Sequence, residues 1–190
     1  VWGQPDFTSR ACNQGLANPT ASTLCFNSEQ ASIHMSGDGS GNGVDVSPDG
    51  QDVFFASNRG QGPFRIWRQR WDGAQATPLT PPDSDAFDLD ISPNGRWIAY
   101  RSARLGGAIY QHPAAGGEDL LVVAGARPPR FSPDSQFILY WQEGKQGAFS
   151  KVFKSGITPG RHDREPTPVA PDFDDAHHPQ WTPGGRILLC

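Results

Sequence analysis

The sequence predicts an all-β fold, and three observations carry this prediction. A turn phrase of the Ser-Pro-Asp-Gly type recurs about every 40 to 50 residues, at 47–50, 92–95, 132–135 and 182–185. Each phrase is followed at once by an apolar run, at 53–56, 97–100, 137–140 and 187–190. Helical periodicity is absent throughout the chain. A repeat of this length is typical of a β-propeller blade. We therefore expect a β-propeller of four-stranded antiparallel blades, with about four blades present.

The second unit can be followed strand by strand. Its turn at 92–95 contains a proline that sets φ, followed by Asn94 and Gly95, which tolerate positive φ. The predicted strands are, in order, 88–91, 96–102, 108–112 and 119–123. The second strand is apolar at consecutive positions, as expected for a strand that neighbouring blades cover on both faces.

The chain is expected to form a single propeller over residues 1–190. Residues 1–46 form a related first blade, and residues 47–190 carry the repeated turn phrase. The last unit stops within its second strand. Because closed propellers usually need more blades than this, we expect an incomplete ring, or a ring that other chain segments complete.

Composition excludes several classes of protein. A chain of 190 residues can bury the core of one domain, and a net charge of −4 without any cluster of Lys or Arg gives no reason to expect a nucleic-acid partner. No apolar stretch approaches the roughly 18 residues that a membrane helix requires. We therefore expect no membrane span in this segment.

The cysteines bear on the cellular compartment. Cys12 and Cys25 lie in a stretch rich in Gly, Asn and Ser, and a disulfide between them is the favoured interpretation. Two unpaired thiols, one of them packed as a small hydrophobic side chain, remain the alternative. A disulfide would imply an oxidising compartment, so an extracytoplasmic location, periplasmic or secreted, is expected.

Residues 91–102, 113–118 and 129–134 resemble the TolB-like β-propeller repeat, most closely the propellers appended to bacterial membrane serine/threonine kinases and winged-helix regulators. Residues 172–181 are similar to the stretch that opens the following blade in that group. Residues 1–9 resemble the opening segment of NHL-repeat propellers, a pattern that is lost after Phe26. The resemblance implies binding of a peptide or protein segment at the mouth of the central channel, and it supplies no catalytic constellation.

Candidate ligand-binding residues lie where each unit enters the channel, just before its turn phrase. They are charged or polar at equivalent positions of successive units, and they are Asp88, Asp90, Arg127, Arg130, His178 and Gln180. These side chains could offer polar contacts to a ligand at the channel mouth. The alternative is that they are ordinary solvated loop tips.

Two groups of residues raise the question of a metal. A weak calcium candidate has oxygen ligands at the spacing of a twelve-residue loop, at Asp38, Ser40, Asn42 and Asp49. Asp45 stands where that loop needs a hydrophobic residue, so a plain Gly-rich connector is favoured. A second group comprises Asp172, Asp174, Asp175, His177 and His178. Adjacent histidines on a strand point to opposite faces, so a structural or surface role is favoured there. No cofactor is expected.

The chain lacks the G-x-S-x-G, H-E-x-x-H and P-loop motifs, so we expect no enzyme. The predicted function is a non-catalytic binding or sensor module that engages a peptide, a protein or a small ligand through the channel-mouth loops. One alternative is a structural subunit of an extracellular assembly or filament, built by strand pairing between open blade edges. A second alternative is the propeller portion of a larger hydrolase or receptor kinase.

Overall fold

The computed structural model describes residues 43–58, 62–72, 75–144, 150–157, 165–173, 175–176 and 178–189. The strands in these ranges are β1 (Val44–Val46), β2 (Asp52–Ser57), β3 (Arg65–Arg70), β4 (Thr77–Pro78), β5 (Ala86–Ile91), β6 (Trp97–Ser102), β7 (Ala108–Pro113), β8 (Leu120–Ala124), β9 (Arg130–Phe131), β10 (Phe137–Gln142), β11 (Lys151–Gly156), β12 (Thr167–Val169), β13 (Gln180–Trp181) and β14 (Ile187–Leu188). A single turn of 3₁₀ helix, Arg104–Gly106, joins β6 to β7.

The strands form antiparallel sheets in chain order. Blade 1 is β1–β4, blade 2 is β5–β8, blade 3 is β9–β12, and β13–β14 are the two described strands of blade 4. The first strands of successive blades contact one another, β1 with β5, β5 with β9 and β9 with β13. They therefore form the inner ring of a β-propeller. The predicted fold class is confirmed, and the strands predicted for the second unit are observed with small shifts at their ends.

Several sequence-based predictions concern residues outside the described ranges. The NHL-like opening, the Cys12–Cys25 pairing and the calcium candidates Asp38, Ser40 and Asn42 all lie outside the described residues.

The cores lie between neighbouring blades. Tyr100 of β6 is fully buried against blade 1, whereas the adjacent Ala99 packs with Ile138 and Tyr140 of blade 3. Side chains alternate between the two faces of a strand, so one strand contributes to two cores. This arrangement explains why the second strands are apolar at consecutive positions.

The repeated turn is built from side-chain hydrogen bonds. The Ser92 Oγ accepts from Trp97 N at 2.9 Å and donates to Asn94 Oδ1 at 2.8 Å, and Asn94 Oδ1 also accepts from Arg96 N at 3.0 Å. The turns that begin at Ser47 and Ser132 have the same pattern, with Asp in place of Asn. The serine and the Asp or Asn of the phrase therefore recur because each accepts a hydrogen bond from a backbone amide just after the turn.

Replacing Ser92 with alanine should lower the free energy of unfolding by about 1–2 kcal/mol, because Ser92 is fully buried and Trp97 N would lose its acceptor. Urea unfolding followed by tryptophan fluorescence measures this loss. Thr182→Ala removes the corresponding, exposed hydrogen bond to Arg186 N and should cost less than about 0.5 kcal/mol. Equal losses for the two variants would contradict this account.

Backbone hydrogen bonds also join each blade to the next. Ala86 N donates to Phe64 O at 2.8 Å, Ala126 N to Gly107 O at 2.9 Å, and Ala176 N to Ser150 O at 3.1 Å. Each alanine is buried and lies on the connection that enters the next inner strand. The same contact is therefore made at each of the three junctions between the described blades.

Candidate functional site

The inner strands turn one edge toward the axis of the ring. The Ser or Thr that begins each turn phrase donates its backbone N–H to the second strand of its own blade, as Ser92 N does to Trp97 O at 2.9 Å and Thr182 N to Arg186 O at 2.8 Å. Successive N–H groups of a strand point to opposite edges. The amide just before each of these residues therefore points to the axis. These axial amides belong to Val46, Ile91, Phe131 and Trp181.

Carboxylates accept the first three axial amides. Asp45 accepts Val46 N on Oδ1 at 2.8 Å and Ile91 N on Oδ2 at 2.9 Å, so it joins blade 1 to blade 2. Asp90 accepts Phe131 N on Oδ2 at 2.7 Å and joins blade 2 to blade 3 in the same way. Two successive junctions are thus bridged by the aspartate that lies two residues before the turn phrase.

The third junction differs. The equivalent axial positions hold Arg130 in β9 and Gln180 in β13. The link here is the indole of Trp181, whose Nε1 donates to Arg130 O at 3.3 Å. Within the described ranges, no hydrogen bond between a carboxylate and an axial amide is found at this junction. The axial positions, Asp45, Asp90, Arg130 and Gln180, together form what we call the axial site.

The three charged residues of the axial site, Asp45, Asp90 and Arg130, affect one another electrostatically. Burial raises the pKa of Asp90 to about 7, although the hydrogen bond from Phe131 N and the charge of Arg130 act to lower it, and the charge of Asp45 raises it further. Burial also raises the pKa of Asp45, against the hydrogen bonds from Ile91 and Val46 and the charge of Arg130. Arg130 therefore acts on both aspartates.

Asp88 does not join Asp90. Its carboxylate is 1% exposed and lies 3.0 Å from Arg101 Nε, and the Arg101 guanidinium stacks 4.5 Å from the Phe87 ring centroid. Residues two apart on a regular strand share a face. Here the β5–β6 pairing shifts register between Phe87 and Asp90, and Asp88 has φ +53°. This irregularity points Asp88 and Asp90 to different surroundings, although the sequence analysis predicted both of them at the channel mouth.

Arg127 and His178 meet at the ring of Trp141. The Arg127 guanidinium lies 5.8 Å from one Trp141 ring centroid and pairs with Glu143, and the imidazole of His178 lies 5.4 Å from the same residue. Gln180 is exposed on β13. The structure therefore brings Asp90, Arg130 and Gln180 to the axial positions, and it places Arg127 and His178 together elsewhere.

Sequence reasoning missed two features. Asp45 appeared only as a mismatch in a calcium loop, although its spacing before the turn phrase equals that of Asp90. A buried network in blade 2 was also missed, in which His112 Nδ1 lies 3.0 Å from Asp119 Oδ1 and Arg104 Nη2 donates to Asp119 Oδ2 at 3.1 Å. Burial acts to raise the pKa of Asp119, but hydrogen bonds from His112, Tyr100 and Arg104 hold it below its usual value.

Two cavities lie between blades at equivalent turn positions. One of about 330 Å³ separates blades 1 and 2, and its wall includes the ion pair of Arg68 with Asp52 at 2.6 Å. The other, of about 380 Å³, separates blades 3 and 4, where Lys154 Nζ lies 4.9 Å from the Phe137 ring centroid.

Metal ligation finds little support among the residues that the structure describes. Asp49 Oδ1 already accepts from Ser47 Oγ at 2.6 Å and from Gln51 N at 3.0 Å, and the hydrogen bond from Ser47 is the main cause that lowers the pKa of Asp49. No cluster of three His, Cys, Asp or Glu side chains able to hold a metal is found in these ranges. Asp174 and His177 lie outside them.

No helix in the described ranges is long and apolar enough to cross a membrane.

The sheets and their inner ring define the chain as a β-propeller. Among solved structures it is similar to TolB from Acinetobacter baumannii, with a TM-score of 0.63 and 14% identity over 78% of this chain and 37% of that one. It is also similar to a putative TolB from Agrobacterium tumefaciens, with a TM-score of 0.59 and 19% identity over 82% and 59%. A further match is the tricorn protease, with a TM-score of 0.58 and 12% identity over 77% and 14%.

These likenesses establish the fold, which is that of a TolB-like β-propeller. The chain spans 37% and 59% of the length of the two TolB structures. No protein-family model matches the sequence, and no curated protein matches it.

Proposed function

We propose that the chain is a non-catalytic binding module that engages a peptide or protein segment at the axial site. The observation that carries the proposal is that Asp45, Asp90 and Arg130 lie close enough on the inner strands to act on one another electrostatically, with Gln180 at the equivalent position of β13. Binding sites typically combine a shaped surface with a few convergent polar groups. Here both charge signs are present, because the guanidinium of Arg130 lies within electrostatic reach of the carboxyl groups of Asp45 and Asp90.

The surroundings of the buried histidine favour binding over catalysis. A general base must reach the proton of a substrate. His112 is fully buried, and its Nδ1 is held by Asp119. This network therefore supports the packing of blade 2 rather than a reaction. The likeness to the tricorn protease concerns the fold alone and does not favour the hydrolase alternative.

An extracytoplasmic location is part of the proposal. Its support is the predicted pairing of Cys12 with Cys25 and the resemblance of the repeat to TolB-like propellers.

Selection from a displayed random-peptide library tests the binding function. Peptides selected on the wild-type chain should bind Arg130→Ala and Gln180→Ala at least tenfold more weakly, because both residues occupy axial positions of the inner strands. Isothermal titration calorimetry measures the change. Arg70→Ala is the control, since the pair of Arg70 with Asp72 is exposed and lies on β3. The proposal fails if no peptide is selected, or if neither axial substitution weakens the affinity for the selected peptides.

One observation favours the alternative of a structural subunit that assembles by strand pairing. Leu188 of β14 is 59% exposed, on a sheet with two described strands. A subunit that assembles by strand pairing should form long polymers in light scattering, whereas a binding module should scatter as a discrete species.

A further inference from the structure

The turns of neighbouring blades meet differently at successive junctions. Between blades 2 and 3, the last residue of the turn phrase is the buried Ser135, whose Oγ accepts from Asn94 N at 3.1 Å. The equivalent residue toward blade 1 is Gly95, which has no hydroxyl, and it lines the cavity of about 330 Å³. The third junction resembles the first, since Gly185 lines the cavity of about 380 Å³ there. A hydroxyl of the chain thus joins the turns only where no such cavity is found among the described residues.

The cavity between blades 1 and 2 is lined by a pair of opposite charges. Arg68 Nη2 donates to Asp52 Oδ2 at 2.6 Å, and this hydrogen bond is the main cause that raises the pKa of Arg68. Asp52 is 6% exposed, and its Oδ1 accepts no hydrogen bond from the described residues. Buried polar atoms in folded proteins are normally satisfied, so a donor is expected to reach Asp52 from the cavity.

The first turn of the cavity wall adds a second charge, and the second turn adds an amide. The pKa of Asp49 is held below its usual value mainly by the hydrogen bond from Ser47 Oγ. Asn94 uses its Oδ1 within its own turn, and no hydrogen bond from its Nδ2 is found in the described part of the chain. The cavity therefore offers donors as well as acceptors.

The charges decide which class of molecule suits this cavity. An anion would meet the carboxylates of Asp49 and Asp52, and a cation would meet the guanidinium of Arg68. A neutral molecule with hydroxyl groups avoids both conflicts, because each hydroxyl donates one hydrogen bond and also accepts. Apolar groups that can pack against C–H groups of such a molecule line the same cavity, at Pro48, Phe54, Pro93, Ala114 and Ala115.

We propose that the cavity between blades 1 and 2 binds a neutral polyhydroxylated molecule of the size of a monosaccharide. One hydroxyl of the ligand takes the place that the Ser135 hydroxyl holds at the next junction, and others bond to Asp52 and Arg68. The volume of about 330 Å³ is at the lower end for small-molecule sites, which suits a single sugar ring. The described lining includes no axial residue, so this site is independent of the proposed axial function.

Nuclear magnetic resonance of the ¹⁵N-labelled chain tests the inference. The probes are D-glucose, D-galactose, D-mannose and myo-inositol. At least one of them should shift the amides of Asp49, Asn94 and Gly95 saturably, with a dissociation constant on the order of 1–10 mM. Tetrahydropyran, which has a six-membered ring without hydroxyls, should leave these amides unchanged, and so should sodium acetate and ammonium chloride.

Gly95→Ser places a hydroxyl of the chain where the ligand is expected. The φ of +70° at Gly95 is close to the +57° that Ser135 adopts, and a Cβ at Gly95 would lie 3.4 Å from Pro48 Cδ. The affinity for the active probe should fall about tenfold or more. Gly50→Ser is the matched control, because Gly50 also has φ +70°, a Cβ there meets nothing within 4 Å, and Gly50 does not line the cavity.

Asp52→Asn covers the case in which Gly95→Ser does not fold. It keeps the shape of the side chain and removes the charge, so it should weaken binding about tenfold through the loss of charge-assisted hydrogen bonds. Its control is Asp72→Asn, at the exposed pair with Arg70, which should bind as the wild type does.

The possible outcomes are distinct. Loss of the response in the two cavity variants, with its retention in both controls, supports the site. Amides that no hydroxylated probe moves, or a response that either cavity variant retains unchanged, overturn it and leave ordered water as the occupant. An equal response to tetrahydropyran, acetate or ammonium overturns the assignment of a neutral, hydroxylated ligand.

Discussion

Replacing Arg101 with methionine should lower the free energy of unfolding by about 3 kcal/mol. The partner carboxylate of Asp88 is 1% exposed, with Arg101 Nε 3.0 Å away. Removing one member of a buried ion pair leaves an uncompensated charge, which typically costs about 3–5 kcal/mol, and the partial exposure of Arg101 places the expected loss at the lower end. Urea unfolding followed by tryptophan fluorescence measures the change.

The matched control is Arg127→Met. The pair of Arg127 with Glu143 is exposed, at 35% and 58% of the two side chains, so its loss should cost less than about 1 kcal/mol. Adding Asp88→Asn to Arg101→Met should recover much of the loss, since asparagine keeps the shape without the charge and tolerates the positive φ at this position. If Arg101→Met and Arg127→Met cost the same, the pair is not a buried structural one.

This result also decides the role of Asp88. A carboxylate whose neutral replacement rescues the Arg101 variant serves the packing of blade 2. The channel-mouth hypothesis requires a side chain that a ligand can reach, and Asp88 is almost fully enclosed. The candidate site is then centred on Asp90 and Arg130.

The architecture was predictable because its determinants are local and repeated. The turn at 92–95 contains its own acceptors, Ser92 and Asn94, within hydrogen-bonding distance of the amides it must satisfy. The apolar runs that follow mark strands covered on both faces. Because the pattern of turn phrase and apolar run occurs four times in the chain, it predicts the order of the strands in each blade.

The contacts between blades were not predictable in the same way. Asp45 and the amide it accepts, Ile91 N, come from different blades, and only the assembled ring brings them together. Asp88 and Asp90 seemed equivalent because regular strands alternate faces, and the register shift in β5 that separates them leaves no clear mark in the sequence. Site prediction failed where irregular backbone, rather than residue type, sets the direction of a side chain.

The stability of the chain should rise by about 2–3 kcal/mol as the pH falls from 8 to 5, through protonation of Asp90. Burial raises the pKa of Asp90 in the folded state from 3.8 to about 7. Between these two values the folded state binds more protons than the unfolded state, so the free energy of unfolding decreases as the pH rises. The stabilisation is complete below about pH 4 and is lost as the pH rises through about 7. Urea unfolding at several pH values measures this slope.

Asp90→Asn isolates the contribution of this carboxyl. The amide side chain stays neutral and can still accept from Phe131 N, so the variant should lose the contribution of Asp90 to the slope between pH 5 and 8 without losing the bridge between blades. The raised pKa of Asp45 acts in the same sense in both proteins, and the lowered pKa values of Asp119 and Asp134 act near and below pH 4. A wild-type slope equal to that of Asp90→Asn would mean that Asp90 is ionised throughout this range.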